Sequence, residues 1–195
     1  MRIKTSMTPE RRRLRLAGVC GIAAPVVALL FIFSAISLSP WFSWTANALS
    51  DLGVGEAALV FNSGLVLGGF LATVFAAIML SIYQDRIRRV GGLVFLLGTI
   101  SLIGIGIFSE AAGRIHFYFS VAFFVLVPIS FWILGIGILR SGHKNWGVLT
   151  VVLGVVGALP WVYHWTAVAI PELLSALCFT AWSLVQGARF YLGRP

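Results

Sequence analysis

Charged residues and cysteines are scarce in this sequence. Only 10% of the 195 residues are Asp, Glu, Lys or Arg, whereas 59% are hydrophobic, which is too apolar for a soluble globular domain. Cys20 and Cys178 fall at depths that differ by about 15 Å along the helical rise, beyond the ~7 Å Cα separation that a disulfide tolerates. No polar tract long enough for a separate soluble domain interrupts the chain. We therefore expect residues 1–195 to form a single membrane domain.

Uncharged apolar runs make up most of the chain. Crossing the roughly 30 Å hydrocarbon core takes about 20 apolar residues in a helix. Five runs meet this length, namely Leu16–Leu38, Ala57–Gln84, Val90–Ser109, Ile115–Leu139 and Asn145–Ile170. A sixth run, Leu173–Ala188, covers only about 24 Å. The pattern predicts an all-α bundle of six transmembrane helices over about residues 16–192, preceded by a basic segment at residues 1–15.

The basic residues are distributed unevenly between the connections. Of the 14 Lys and Arg residues, all but Arg114 lie before the first run, after the last, or in every second connection. Because basic connections stay cytoplasmic, we expect both termini to be cytoplasmic and three hairpins to point outward from the cell membrane. The net charge of +8 then reflects topology and attraction to anionic membrane lipids. A nucleic-acid partner is not expected.

The second run contains a stripe of small residues. Gly64 and Gly68 form a GxxxG pattern that Ala72 and Ala76 continue. Small residues let helices approach closely in lipid, where apolar burial gives no advantage. The stripe therefore predicts either close packing inside the bundle or a homodimer through the Gly64/Gly68 face.

A few ionisable and polar residues fall near the outer ends of the predicted helices. Such residues are costly in a membrane and are therefore candidates for a functional site. By helical rise they share one outer layer. They are Asp51, Asn62, Glu110, His116, His164 and Glu172.

The three carboxylates also have simpler structural interpretations. Asp51 lies among turn-forming residues and could hydrogen-bond a turn. Glu110 could pair with Arg114 across a tight turn. Glu172 follows Pro171, so it could interact with the positive end of a helix dipole in the first turn.

The remaining three residues have structural alternatives as well. His116 could be an interfacial histidine at the start of a helix, and His164 could belong to an aromatic belt at the membrane surface. Asn62 could hold two helices together by a hydrogen bond. Taken together, the shared depth of the six residues is more informative than any one of them.

Several short motifs resemble a known family. The segment Asn47–Gly53 (NALSDLG), the pair Phe61-Asn62, and Gly106–Glu110 followed by Gly113 and His116 are similar to a family of small prokaryotic membrane proteins. The family is catalogued as domain of unknown function nine-nine-eight. The resemblance covers nearly the whole chain and implies a six-helix membrane bundle. It also implies that Asp51, Asn62, Glu110 and His116 are signature polar positions, and it brings no established activity.

Our main interpretation is a binding, sensing or scaffold protein. Its outer polar cluster would hold a lipid head group or a small molecule, with Asp51, Glu110 and His116 at its core and Asn62, His164 and Glu172 as further binding residues. No charged residue lies clearly at the bilayer centre, which argues against an ion-coupled transporter.

Two other interpretations use a cofactor. His116, His164 and one carboxylate such as Glu110 could ligate a divalent metal such as zinc, for hydrolysis or transfer at lipid head groups. The sequence contains no HExxH and no His pair at i, i+4, so this metal signal is weak. Alternatively His116 and His164 could be the axial ligands of a single b-type haem. The identity of any cofactor is left open by the sequence.

Overall fold

The computed structural model of the chain describes residues 8–194, where all regular structure is helical. The long helices are α1 (Pro9–Ser37), α2 (Ala58–Ile82), α3 (Arg86–Ile107), α4 (Arg114–Arg140), α5 (Lys144–Ala158) and α6 (Ala169–Tyr191). Short 3-10 turns occupy Leu49–Gly53, Glu110–Ala112 and Leu159–Val162. All six helices are long and apolar enough to cross a membrane when α5 is counted through Val162, so this is a multi-pass membrane protein, as predicted. Residues 1–7 of the predicted basic segment lie outside the described range.

The first helix begins earlier than the apolar run predicts. It starts at Pro9 rather than Leu16 and includes the basic residues between them. The Thr8 hydroxyl accepts a hydrogen bond from the Arg11 amide at 3.4 Å, and proline suits a first helical turn because its missing N–H needs no partner there. The basic residues from Arg11 onward therefore extend α1 beyond its apolar part.

The fifth predicted helix is shorter than its apolar run. The α-helix ends at Ala158, because Pro160 has no N–H with which to continue the hydrogen-bond ladder. One 3-10 turn follows, and α6 then begins at Ala169, four residues before the predicted start. The non-helical connection between α5 and α6 therefore lies where the sequence predicted continuous helix.

The six helices form a closed ring. Each helix packs against the helices before and after it in sequence, and α1 also packs against α6. Successive helices run in opposite directions, so the connections α1–α2, α3–α4 and α5–α6 share one end of the ring. We call this the acidic end, because Asp51, Glu110 and Glu172 lie there. The other end, which carries Arg15, Arg88 and Arg189, is the basic end.

Aromatic side chains fill the centre of the ring toward its basic end. Trp182 is fully buried, and its ring centroid lies 4.5 Å from that of Phe131 and 5.1 Å from that of Phe95. Phe75 packs against Phe190 with centroids 5.6 Å apart. The Trp182 indole donates to the Thr150 hydroxyl at 3.2 Å, so its one polar group is satisfied. These rings close the basic half of the bundle's interior.

Glycines allow α2 to approach α1 closely. A Cβ built on Gly64 would lie 2.1 Å from the Phe31 Cβ, and one on Gly68 would lie 2.9 Å from the Ala28 Cβ. No larger residue fits at Gly64 without moving the helices apart. The GxxxG face is therefore covered by α1 within the chain, which is the internal packing that its small residues allow.

Candidate functional site

The three carboxylates of the predicted cluster meet at the acidic end. Asp51 lies in the turn Leu49–Gly53, Glu110 begins the turn between α3 and α4, and Glu172 lies in the first turn of α6. The two turns contact each other, and the first also contacts α6. The charges of Asp51 and Glu110 both act on Glu172. Segments distant in sequence thus bring three acidic side chains to one place.

Asp51 holds the conformation of its own loop. Its Oδ2 accepts hydrogen bonds from the Asn47 side-chain amide at 2.8 Å and from the Ala48 backbone amide at 3.0 Å. Asn47 in turn accepts from the Ser43 amide at 3.0 Å. This is the turn-stabilising role that the local sequence allows, and it fixes the position of the Asp51 carboxyl.

Glu172 joins the start of α6 to the same loop. Its side chain is buried, and its Oε2 accepts a hydrogen bond from the Leu49 amide at 2.6 Å. The Ala169 amide also donates to the Asn47 carbonyl at 3.0 Å. The carboxylate therefore satisfies a backbone donor that would otherwise lack a partner. Glu172 is thus part of the site and also part of the packing of the acidic end.

Glu110 is the least satisfied member of the cluster. Its carboxyl lies near Asp51 and Ser50, and both residues affect its pKa. Its Oε2 is buried without a hydrogen-bond partner in the described chain. Burial, followed by the hydrogen bond and the negative charge of Asp51, raises the pKa of Glu110 to about 7. The Glu110 carboxyl is therefore partly protonated near neutral pH.

The predicted pairing of Glu110 with Arg114 is not formed. Within residues 8–194 the only ion pair joins Arg88 to Asp85, which lie at the basic end. Arg114 is exposed at the start of α4. The absence of a nearby cation is consistent with the raised pKa of Glu110, since an opposite charge would lower it.

Asn62 fastens the end of the turn to α2. Its side-chain amide donates to the Gly53 carbonyl at 3.0 Å. A Cβ on Gly53 would lie 2.7 Å from the Asn62 Oδ1, so glycine is required for this close approach. That Oδ1 is buried and has no donor among the described residues. Asn62 therefore supports the loop that carries Asp51.

The two predicted histidines have different environments. His116 is buried, and its Nδ1 lies 2.8 Å from the Phe108 carbonyl. Because a carbonyl can only accept, Nδ1 carries the proton and donates it. His164 is exposed in the connection between α5 and α6. His116 thus ties α4 to the end of α3, whereas His164 makes no such contact.

The cofactor hypotheses gain no support from this arrangement. Across residues 8–194, no group of three His, Cys, Asp or Glu side chains is placed to hold a metal ion. His116 is one of the residues that line the groove described next, and His164 is not. His116, His164 and Glu110 therefore do not form a metal-binding group in this part of the chain, and only His116 and Glu110 line the same groove.

A groove of about 670 Å³ begins at the carboxylate cluster. Its polar end contains Ser50, Glu110, His116 and Glu172. The rest of its wall is apolar and comes mainly from α4, from Phe117 to Trp132. This stretch corresponds to about 24 Å of helix, which is longer than the ~15 Å half-thickness of a bilayer core. The groove therefore joins a polar end to an apolar wall of membrane dimensions.

The short α5 provides the opposite side of the groove. Ala158, Trp161 and Val168 line it where the helix has ended. The Trp161 ring packs 4.7 Å from the Phe124 ring, and its indole donates to the Ser175 hydroxyl at 2.9 Å. The break at Pro160 thus creates the groove, and contacts to α4 and α6 hold its edge.

A second cavity of about 130 Å³ lies inside the ring. It is almost entirely apolar and is bounded on one side by Phe95 and Phe179 of the aromatic core. Ser50, Ser120, Phe124 and Glu172 line both this cavity and the groove. These four residues therefore form the wall between the two spaces.

Sequence reasoning missed the whole apolar wall. Trp132 belongs to this wall, and its indole Nε1 is buried without an acceptor in the described chain. Along α4, residues such as Phe117, Val121 and Val125 follow i, i+4 spacing, as any lipid-facing stripe would. Pro160 is the residue in the sequence that marks the end of α5, because proline cannot continue the hydrogen-bond ladder of a helix.

Comparison with known proteins supports the predicted resemblance. The sequence model of the family described as "Protein of unknown function (DUF998)" matches residues 22–189. Curated proteins and solved structures yield no match to the chain. The matched range contains α2 to α5, most of α1 and α6, and the whole carboxylate cluster. The chain therefore belongs to the family described as "Protein of unknown function (DUF998)".

Proposed function

We propose that this protein binds an amphiphilic lipid-like molecule in the groove beside α4. The observation that carries the proposal is the groove itself, whose polar end contains Ser50, Glu110 and Glu172 while its remaining wall is apolar. An amphiphile has the same division between a polar head and an apolar tail. Binding pockets of this type are mostly apolar with a few polar groups that fix orientation.

The charge of the cluster favours a head group that donates hydrogen bonds. Asp51, Glu110 and Glu172 are close enough for their charges to interact, and ionised carboxylates can only accept. In the described chain none of the three is paired with Lys or Arg. An amine or a group of hydroxyls would satisfy the free Glu110 oxygen, whereas a phosphate would be repelled.

The apolar wall favours one tail that enters from the membrane. Phe117, Val121 and Val125 are exposed on α4, in a helix long enough to cross the bilayer. A tail bound there would take the place of membrane lipid against these α4 side chains. It would also contact Trp161 at the opposite edge of the groove. The head group would then lie at membrane-surface depth beside Glu110.

The orientation of the protein follows from its basic residues. Connections rich in Lys and Arg remain in the cytoplasm, and they lie at the basic end. We infer that the acidic end and the mouth of the groove face outward across the cell membrane. The protein would therefore take its ligand from the outer leaflet.

The head-group part of this proposal can be tested with paired carboxylate variants. We expect Glu110→Ala to lose most of the amphiphile that copurifies in mild detergent, measured by mass spectrometry of the organic extract. Glu56→Ala, at an exposed glutamate of the same end, is the matched control and should retain it. Equal retention in both variants would contradict the assignment of the head group to Glu110.

A second candidate function is hydrolysis or group transfer on the bound amphiphile. The observation in its favour is the pKa of Glu110 near 7 beside the Ser50 hydroxyl, since a general base works best with a pKa near the working pH. Glu110 would take a proton from Ser50 or from a water molecule in the groove. Recovery of the extracted ligand unchanged after prolonged incubation with the protein would exclude turnover.

A further inference from the structure

A compact group of polar side chains lies at the basic end, far from the carboxylate cluster. Tyr83 lies between α2 and α3, Arg88 in the first turn of α3, Trp146 near the start of α5, and Gln186 and Arg189 near the end of α6. All five line one small pocket. Nothing in the proposed function involves these residues.

Gln186 organises the floor of this pocket. It is buried, with 1% of its surface exposed, in the middle of the bundle's basic end. Its side-chain N–H donates to the Tyr83 hydroxyl at 3.2 Å, and its oxygen accepts from the Trp146 indole at 2.7 Å. Tyr83 is therefore an acceptor in this network, and its own hydrogen has no acceptor among the described residues.

Two guanidinium groups flank this floor. The Arg88 guanidinium carbon lies 4.8 Å from the centre of the Tyr83 ring, and that of Arg189 lies 5.6 Å from the Trp146 ring. Arg88 is paired with Asp85. Arg189 has no carboxylate partner within residues 8–194, and its Nε is buried without an acceptor there. The pocket therefore contains donors in excess of acceptors.

The Tyr83 hydroxyl remains a donor at neutral pH. Burial raises the pKa of Tyr83 well above the usual range of tyrosine, even though the charges of Arg88 and Arg189 oppose the rise. The other charged or titratable groups at this pocket are Asp85 and His143. None of them offers a free anionic oxygen to Arg189, since Asp85 is held by Arg88.

We propose that this pocket binds one oxygen of a phosphate group, held by the Tyr83 hydroxyl and the Arg189 guanidinium. Charge-assisted hydrogen bonds from arginine suit phosphate oxygens. The enclosed volume is about 10 Å³, close to the space that one water-sized probe needs. It admits a single oxygen, and the remainder of the phosphate group stays at the mouth beside Arg88. The phosphate can belong to a phospholipid head group or to a free phosphate ion.

The first arm of the test uses inorganic phosphate. Thermal unfolding of the detergent-solubilised protein is measured while phosphate replaces chloride at constant ionic strength. We expect a saturable rise in melting temperature, with the apparent Kd weakened about tenfold or more in Tyr83→Phe and Arg189→Gln. Arg86→Gln is the control. Arg86 is exposed at the start of α3, so this variant loses one positive charge from the basic end, as Arg189→Gln does. It should leave the Kd within about twofold.

The second arm distinguishes the phospholipid source. Native mass spectrometry measures how much phosphatidylglycerol the protein retains after passage through vesicles made of that lipid and a phosphate-free glycolipid. Retention that is lost in Arg189→Gln and kept in Arg86→Gln assigns the site to a lipid phosphate. Saturable stabilisation by inorganic phosphate without lipid retention assigns it to the free ion.

One result of the two arms would overturn the proposal. If phosphate stabilises no better than chloride and Arg189→Gln retains as much lipid as Arg86→Gln, the pocket holds only a water molecule. Arg189→Lys and Tyr83→Phe keep the test valid should Arg189→Gln not fold. The first keeps the charge without the Nε donor, and the second removes only a hydroxyl.

Discussion

The carboxyl of Glu110 lies close enough to the carboxyl of Asp51 for Asp51 to raise the pKa of Glu110. The two belong to different connections of the bundle and meet because the turns that carry them are in contact. Two carboxyls so close cannot both ionise without repulsion. Glu110 therefore keeps its proton up to near neutral pH, and this depends on the packing of the acidic end.

The raised pKa of Glu110 predicts a specific pH dependence of stability. The pKa of Glu110 is about 7 in the folded protein against an ordinary value of 4.5, so the folded state holds this proton more tightly. The contribution is fully present below pH 4.5 and is lost as the pH rises through 7. We expect Glu110→Gln to lose less stability than the wild type between about pH 5 and pH 8, measured by thermal unfolding. Glu56→Gln should behave as the wild type, and a loss as large in Glu110→Gln would contradict the raised pKa of Glu110.

Glu172 is expected to be a structural residue as well as part of the groove. Glu172→Ala removes the acceptor of the Leu49 amide and should destabilise the protein by about 1–3 kcal/mol, because a buried donor loses its partner. Glu172→Gln keeps an oxygen at the same place and should cost less. Denaturant unfolding followed by circular dichroism would measure both. Equal losses in the two variants would show that the hydrogen bond is not the cause.

A substitution at Gly64, which contacts α1, can distinguish internal helix packing from dimerisation through the same face. Gly64→Leu should destabilise the protein by about 1–3 kcal/mol or more, because a Cβ at this position already overlaps the Phe31 Cβ. Leu59→Phe, on an exposed face of the same helix, is the control. Analytical ultracentrifugation in detergent should give one oligomeric state for both variants. Dissociation of a dimer by Gly64→Leu, without loss of stability, would restore the interface hypothesis.

The position of His116 leads to a prediction about metal content. His116→Ala loses the hydrogen bond to the Phe108 carbonyl and should cost about 0.5–1.5 kcal/mol in stability. Elemental analysis of protein purified without chelator or His-tag should give the same metal content for the wild type, His116→Ala and His164→Ala. A transition metal near one per chain that disappears in His116→Ala would revive the zinc interpretation.

The number of helices could be predicted from the sequence because charged residues are costly in lipid and are therefore absent from the spanning segments. This pattern of uncharged runs does not depend on which helices are in contact. Helix ends were harder. The break at Pro160 and the early start of α6 depend on how the chain packs at the acidic end, where Ala169 donates to the Asn47 carbonyl. Apolar composition alone does not contain that information.

The candidate site was predictable only in part. Depth along the helices predicted that Asp51, Glu110 and Glu172 share a layer, and the ring brings them together. The depth of a residue does not tell which way its side chain faces around the helix. His164 was therefore grouped with Glu110, His116 and Glu172, although it does not line the groove that they line. The apolar wall on α4 was invisible because a tail-binding stripe and a lipid-facing stripe have the same composition.

Occupancy of the groove by an amphiphile tail is the central claim, and one pair of variants tests it directly. Val125→Trp fills the groove, whereas Val148→Trp makes the same change at a comparably exposed valine of α5. The measurement is the molar ratio of copurified amphiphile to protein by mass spectrometry. We predict that Val125→Trp loses most of the ligand and that Val148→Trp retains the wild-type ratio. Equal ratios in all three proteins would contradict binding in the groove.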